Sequence, residues 1–270
     1  TVMVSGEGSL TVNTGKELTV GTDMAVLNEA KFTNKGETTI IGTLGVAKDA
    51  TVTNSRNLSV GGVSAESATI SSSGQLTVGD AGGTIGALTG NGYLNNSGEL
   101  TIKSDTDLQA LTNAGTLTVE GALKVTATAT GGVIKAASAD LGYAKLAELQ
   151  VAGAVTAKEL TVDKATMESL TADKLASLAG DTVTVTNDAS LGTFSVNGVL
   201  EVGGKLTVSD AVESEGEILA AEADLQSDAT LDTLKVTGGL KATNLSVTTL
   251  EAASLDAESL TITDGGTGIV

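Results

Sequence analysis

A ten-residue pattern recurs through the first half of the chain and restricts what the chain can fold into. Its copies read KFTNKGETTI (residues 31–40), TVTNSRNLSV (51–60), TISSSGQLTV (69–78), YLNNSGELTI (93–102) and ALTNAGTLTV (110–119), after an earlier TVNTGKELTV at Thr11 to Val20. Successive starts lie 20, 20, 18, 24 and 17 residues apart. Self-similarity at a period of about 20 residues marks a solenoid, in which no unit buries its own apolar face and each must stack on its neighbours.

Each copy reads as strand, turn, strand. In YLNNSGELTI, Leu94 is apolar, Asn95 to Gly98 supply turn chemistry, and Leu100 and Ile102 alternate around Thr101. The L-T-V or L-T-I triplet returns at both ends of the chain, for example at Leu10 to Val12 and Leu260 to Ile262, so one architecture is expected throughout. The second half changes pattern. Apolar residues recur every five positions at Leu240, Leu245, Leu250, Leu255 and Leu260, and at Val155, Leu160, Ala165, Leu170 and Leu175. Positions i and i+5 diverge by about 140° on a helix, so this spacing is not a helical face. It suits a four-sided coil of about 20 residues with one inward Leu per side. Helix is the competing local reading for Asp140 to Gln150 and Thr166 to Ala179, which are rich in Ala, Leu, Lys and Glu. Gly79 to Gly92 and Gly131-Gly132 read as loops bulging from the coil, and matching Thr, Asn and Ser are expected to stack as surface ladders.

The expectation is an all-β fold: a single parallel β-helix (β-solenoid) domain over residues 1–270, with about 13 coils of about 20 residues. Composition agrees. The chain has no Pro, Cys, His or Trp and only four aromatic residues, Phe32, Tyr93, Tyr143 and Phe194, so a core must be built in thin layers of Val, Leu, Ile and Ala. Net charge is −18, and Arg56 is the sole arginine. A basic stripe for nucleic acid is missing, and the same deficit disfavours anionic membrane surfaces. No apolar run of about 18 residues is present for membrane insertion. The chain starts at Thr1, which reads as the result of leader removal, the alternative being a fragment.

The unit x-[VIL]-[TN]-[NS]-x-G-x-L-T-[VI] resembles the repeats of bacterial exported β-helix proteins, namely autotransporter passenger domains and filamentous-haemagglutinin-like adhesins. The resemblance implies a right-handed parallel β-helix, export from a bacterial or archaeal cell, and an extracellular role in adhesion or assembly. The pentads from Leu240 are similar to those of pentapeptide-repeat proteins, although the small residue follows the Leu by two, as in Leu250-Glu251-Ala252, instead of preceding it. Bactofilins, which polymerise through uncapped ends, are a third likeness.

Chemistry is sparse. With neither His nor Cys, nucleophilic catalysis lacks its usual partners, and the expectation is that the chain is not an enzyme. Asp210, Glu213, Glu215 and Glu217 are the densest acidic group. They are either a solvated outer face or oxygen ligands for Ca²⁺. No polar cap is visible at either end. Val2, Val4, Leu10 and Val12 at one end, and Leu260, Ile262, Ile269 and Val270 at the other, are the candidate self-assembly residues. Function is therefore expected to be structural: a subunit of a self-assembling extracellular filament or sheath, whose partner is another copy stacked head to tail through the uncapped terminal coils or by strand exchange of a terminus. The alternatives are the stalk or binding segment of a surface adhesin and an acidic mimic of DNA.

Overall fold

The structure, a computed structural model, describes residues 1–177 and 182–269, with side chains for 1–176 and 182–262. The fold is all-β and entirely parallel: a β-solenoid of about 12 turns with roughly 18 residues per turn. No helix occurs among the described residues, so the Ala-rich segments after Asp140 and Thr166 are strands as far as Ser177. Residues 178 and 179 of the second segment lie outside the description. The chain forms two compact units, Thr1–Asp140 and Leu141–Val270.

In the first unit three columns of strands make each turn. The first column begins with Val2–Val4, the second with Ser9–Val12 and the third with Glu17–Val20. Val2 pairs with Met24, a step of 22; Met24 pairs with Leu44, a step of 20; Leu58 pairs with Leu76, a step of 18; and Leu94 pairs with Leu111, a step of 17. The coil thus tightens along the chain. Alternation explains the strands: Val52, Leu58, Val60, Ile70, Leu76 and Val78 point inward and are buried, with Thr and Ser between them facing out. Leu58 stacks on Leu76 and Leu76 on Leu94, so each rung closes the apolar face of the one below.

Four sequence expectations need correction here. The copy at Thr11 is in step only in its second half. Ser9–Val12 pairs with Lys31–Asn34, placing Thr11 beside Thr33, because the corner at residues 13–16 is two residues longer than the corner at residues 35 and 36. The stretch from Gly79 to Gly92 does not bulge out. Most of it is strand: Gly83 pairs with Val63 and Leu100, and Ala87 with Thr69. Gly82 and Gly83 adopt positive φ (59° and 133°), and a Cβ on Gly83 would overlap the Val63 carbonyl, so glycine is what lets the chain turn flush against the rung beneath. Gly131-Gly132 likewise lies within the strand run Ala110–Val151. Finally, the asparagine ladder is inside the coil, since Asn34, Asn54, Asn96 and Asn113 are all buried.

The second unit is built from pentads in which residues i and i+2 point inward. Val155 and Ala157, Leu160 and Val162, Ala165 and Met167, and Leu170 and Ala172 are all buried. Val155 pairs with Leu170 and Leu160 with Leu175, a step of 15. One turn here is three pentads, not four, which corrects the four-sided coil. Ala157, Ala165 and Ala172 occupy inward positions, and side chains this small fill only a narrow interior. Later turns lengthen to 19 residues between Leu170 and Ala189 and 17 between Val183 and Leu200, where turn residues are inserted. Phe194, buried on Leu175, fills one of the longer turns.

Candidate functional surfaces

The strongest local geometry in the first unit is a pair of interior asparagine ladders. Asn34 Nδ2 donates to Asn54 Oδ1 (2.9 Å), and Asn54 Nδ2 donates to Ser72 Oγ (3.0 Å). Each amide also satisfies corner carbonyls: Asn34 Nδ2 reaches Asn57 O at 2.9 Å, and Asn54 Nδ2 reaches Gln75 O at 2.9 Å. Thr38, buried where other copies carry Leu, donates to Asn34 Oδ1 at 3.0 Å. The second ladder runs from Asn96 Nδ2 to Asn113 Oδ1 (2.8 Å), with Asn113 Nδ2 donating to Val133 O at 2.8 Å. Buried amides are tolerated because their donors are paired. Among the acceptors of the described residues, Asn96 Oδ1 is buried without a partner.

The two ladders stand on different corners. The copies at 31–40, 51–60 and 69–78 run from the second column to the third. The copies at 93–102 and 110–119 run from the third column to the first, because Tyr93–Asn96 pairs with residues 75–78 and Leu100–Ile102 with 83–85. The 24-residue spacing is one turn of 18 plus one side of six. A further copy overlooked in the sequence, ALTGNGYLNN at residues 87–96, keeps the first phase and shares Tyr93–Asn96 with the copy that follows. Gly90, at φ 109°, sits where this copy would carry asparagine, with its Cβ position only 2.7 Å from Ser72 O. The second ladder ends in the same way: Gly131, at φ 114°, packs on the Asn113 carbonyl.

A second device was also missed. Asp23 Oδ1 accepts the Thr43 N–H, Asp105 Oδ1 the Ala122 N–H and Asp188 Oδ1 the Lys205 N–H, each at 2.8 Å and each one turn higher. A glycine precedes every donor (Gly42, Gly121, Gly204), and a Cβ on any of them would collide with the Asp carboxylate. The pairing breaks register beside two of these sites, between Ile40 and Thr43 and between Val202 and Lys205, so the carboxylate caps an N–H at a bulge. Its sequence signal is Asp just before a strand, followed one turn later by Gly-x-Leu: Gly42-Thr43-Leu44, Gly121-Ala122-Leu123 and Gly204-Lys205-Leu206.

Charge pairs climb the outside of the second unit one turn at a time. Lys164 meets Glu148 (3.6 Å), Lys174 meets Glu159 (3.2 Å), Lys205 meets Asp224 (3.1 Å) and Lys235 meets Glu217 (2.6 Å). Partial burial pulls the Asp224 carboxyl upward, but the hydrogen bond and charge of Lys205, with the charge of Lys241, leave it below its ordinary value. The hydrogen bond to Glu217 raises the Lys235 ammonium. In the first unit the exposed pair Lys103 and Glu66 does the same, its hydrogen bond lowering Glu66 and raising Lys103.

Of the acidic candidates, Asp210, Glu213 and Glu215 are exposed on the outer side, and Glu217 is engaged by Lys235. Among the described residues, no group of three or more Asp and Glu is placed to hold a metal ion. A groove of about 410 Å³ is walled by Gly203, Leu219 and Ala221, with Glu201, Lys235, Thr237 and Glu251 along it. Of the self-assembly candidates, Val2, Val4, Leu10 and Ile262 are half-buried, Leu260 is 40% exposed, and Val12 is buried. The Ile269 side chain and Val270 lie outside the described residues. Tyr93 and Tyr143 are exposed, whereas Phe32 and Phe194 are in the core. Comparison with protein-family models, with curated proteins and with solved structures finds no match for this chain.

Proposed function

We propose that the chain is a structural β-solenoid that stacks end to end with copies of itself into an extracellular filament or sheath. The observation that carries this reading is the condition of the outermost rungs. Val2, Val4 and Leu10, and at the other end Leu255, Ala257 and Ile262, point inward yet are only half-buried, with Leu260 exposed. Their counterparts one turn in, Met24, Val26 and Phe32, and Leu240, Ala242, Leu245 and Val247, are buried. An open rung also presents unpaired N–H and C=O groups. One more rung laid on it satisfies the backbone and covers the apolar side chains together, and a coil of the same chain supplies strands with the same inward–outward alternation.

The function is then mechanical. Parallel ladders continue across each joint, and the absence of Pro leaves every amide able to donate. The net charge of −18 holds neighbouring filaments apart, so salt or Ca²⁺ promotes bundling. Exposed Tyr93 and Tyr143 favour a second reading, in which the chain is a binding or stalk segment of a surface adhesin and further coils of a longer polypeptide cover the open rungs. Sedimentation velocity with negative-stain microscopy separates the two. The first reading expects linear species that grow with concentration and disappear in a Val4→Asp, Leu260→Asp variant whose circular dichroism is unchanged. A monomer at every concentration would eliminate the filament.

A further inference from the structure

We propose that the first unit has two strand registers, and that the segment 87–92 is a removable side whose exclusion turns the later coils by one face. Tyr93–Asn96 is shared by two overlapping copies of the repeat, so its sequence fits either of two columns. In the structure it lies on residues 75–78, with Asn96 above Val78, which offers no donor, and Asn96 Oδ1 is left buried and unpartnered. In the alternative, Tyr93 takes the position of Ala87 on Thr69, and Asn96 takes that of Gly90 above Ser72. In both ladders the lower residue donates to the Oδ1 above it, as Asn34 does to Asn54 and Asn96 to Asn113. Ser72 Oγ, whose own contact with Gly74 O is long at 3.3 Å, would then donate to Asn96 Oδ1. The ladder would run unbroken from Asn34 to Asn113.

The slip moves the chain by six residues, an even number, so every inward residue remains inward. Leu94 takes the seat of Leu88, Leu100 stacks on Leu76, and residues 87–92 leave the coil as a surface loop. The observed register keeps Leu88 buried and the short strand at 87–89 paired; the slipped register completes the polar ladder. The contest is confined to one joint, because the coils above move together and keep their own contacts. Its result is a change in which outward residues share a face: Tyr93 leaves the column of Glu17, Glu37, Asn57 and Gln75 and joins that of Lys31, Thr51 and Thr69.

Cysteine pairs read the register directly, since the chain has no other thiol. Thr77→Cys with Asn95→Cys reports the observed pairing, Ser71→Cys with Asn95→Cys reports the slipped one, and Thr53→Cys with Asn95→Cys is adjacent in neither. After refolding and oxidation, the first pair is expected to cross-link in most molecules and the second in a minor fraction above the third. Leu88→Asp, which puts a carboxylate in the seat only the observed register buries, should raise the second at least about tenfold. Deleting residues 87–92 should give a folded strand-rich protein in which the second pair cross-links as fully as the first does in the parent. An unfolded deletion variant overturns the proposal. So does cross-linking of the second pair at the level of the third in the intact chain, even if the deletion variant forms it. If Leu88→Asp does not fold, the ratio of second to third pair in the intact chain decides.

Discussion

The two units solve the same problem from opposite sides of the wall. A coil that repeats only approximately must be told how each rung sits on the last. The first unit takes that instruction from inside, where Asn34, Asn54 and Ser72 at one corner, and then Asn96 and Asn113 at the next, form hydrogen-bonded files. The second unit has an almost wholly apolar interior. Its one buried polar side chain among the described residues, Ser214, exchanges hydrogen bonds with the Val196 backbone at 3.1 and 2.9 Å. Its register is marked outside by Lys and carboxylate alternating from turn to turn. An interior amide fixes position strongly because leaving it unpaired is expensive. An exposed ion pair is screened and contributes little, so the second unit must rely on the volumes of its Leu, Val and Ala layers. Alternation alone accepts a slip by any even number of residues, and a buried polar file adds a register mark that apolar side chains do not carry.

The largest effect should come from exchanging the two strategies. Leu200→Asn buries an amide among apolar neighbours with no file to join, and is expected to destabilise the protein by about 4 kcal/mol in urea unfolding. A loss below about 1 kcal/mol would erase the distinction between the units. Next, Asn54→Ala takes one hydrogen bond each from the Asn34 amide and the carbonyls of Arg56 and Gln75 and should cost about 3 kcal/mol. Asn96→Ala should cost about 1 kcal/mol less than Asn54→Ala, since its Oδ1 already lacks a donor. Equal losses in the two variants would mean that the ladder does not act as a file. Asp188→Ala uncaps one bulge N–H and should cost about 1 kcal/mol, visible as faster amide exchange at Lys205.

The smallest effect is that of pH. Asp224 is held below its ordinary value in the folded chain, so the unfolded chain takes up the proton first as pH falls. Its contribution is complete above the usual carboxylate range and is lost below about pH 4. The raised Lys235 works oppositely: its contribution is complete below the ordinary lysine value near pH 10 and is lost as pH rises through the folded value. Asp224→Asn should flatten the acid limb of stability against pH, and added salt should weaken both limbs. An unchanged acid limb would remove Asp224 from the outer register.

Much of the fold could be read directly. The L-T-V triplets gave the inward positions, and the recurring ten-residue unit gave the turn length within a few residues. Two features misled. Leucine every five positions is compatible with either three or four sides, and only the narrowness set by Ala157, Ala165 and Ala172 selects three. The glycines of 79–92 look like loop residues, yet the strand there needs them because its backbone presses against the rung below. The Asp23, Asp105 and Asp188 caps escaped notice because their partners are backbone amides 17 to 20 residues away, so the Asp and the Gly-x-Leu that mark each cap lie a full turn apart.

Local pattern by itself determined that this chain is a stack of parallel rungs with Val, Leu and Ile inside, because alternation and repeat length are properties of neighbouring residues. Which corner each repeat occupies was decided only in three dimensions. Tyr93–Asn96 can serve as the second half of one copy or the first half of the next, and the burial of Leu88 against the pairing of Asn96 settles between them, a balance struck between residues a full turn apart.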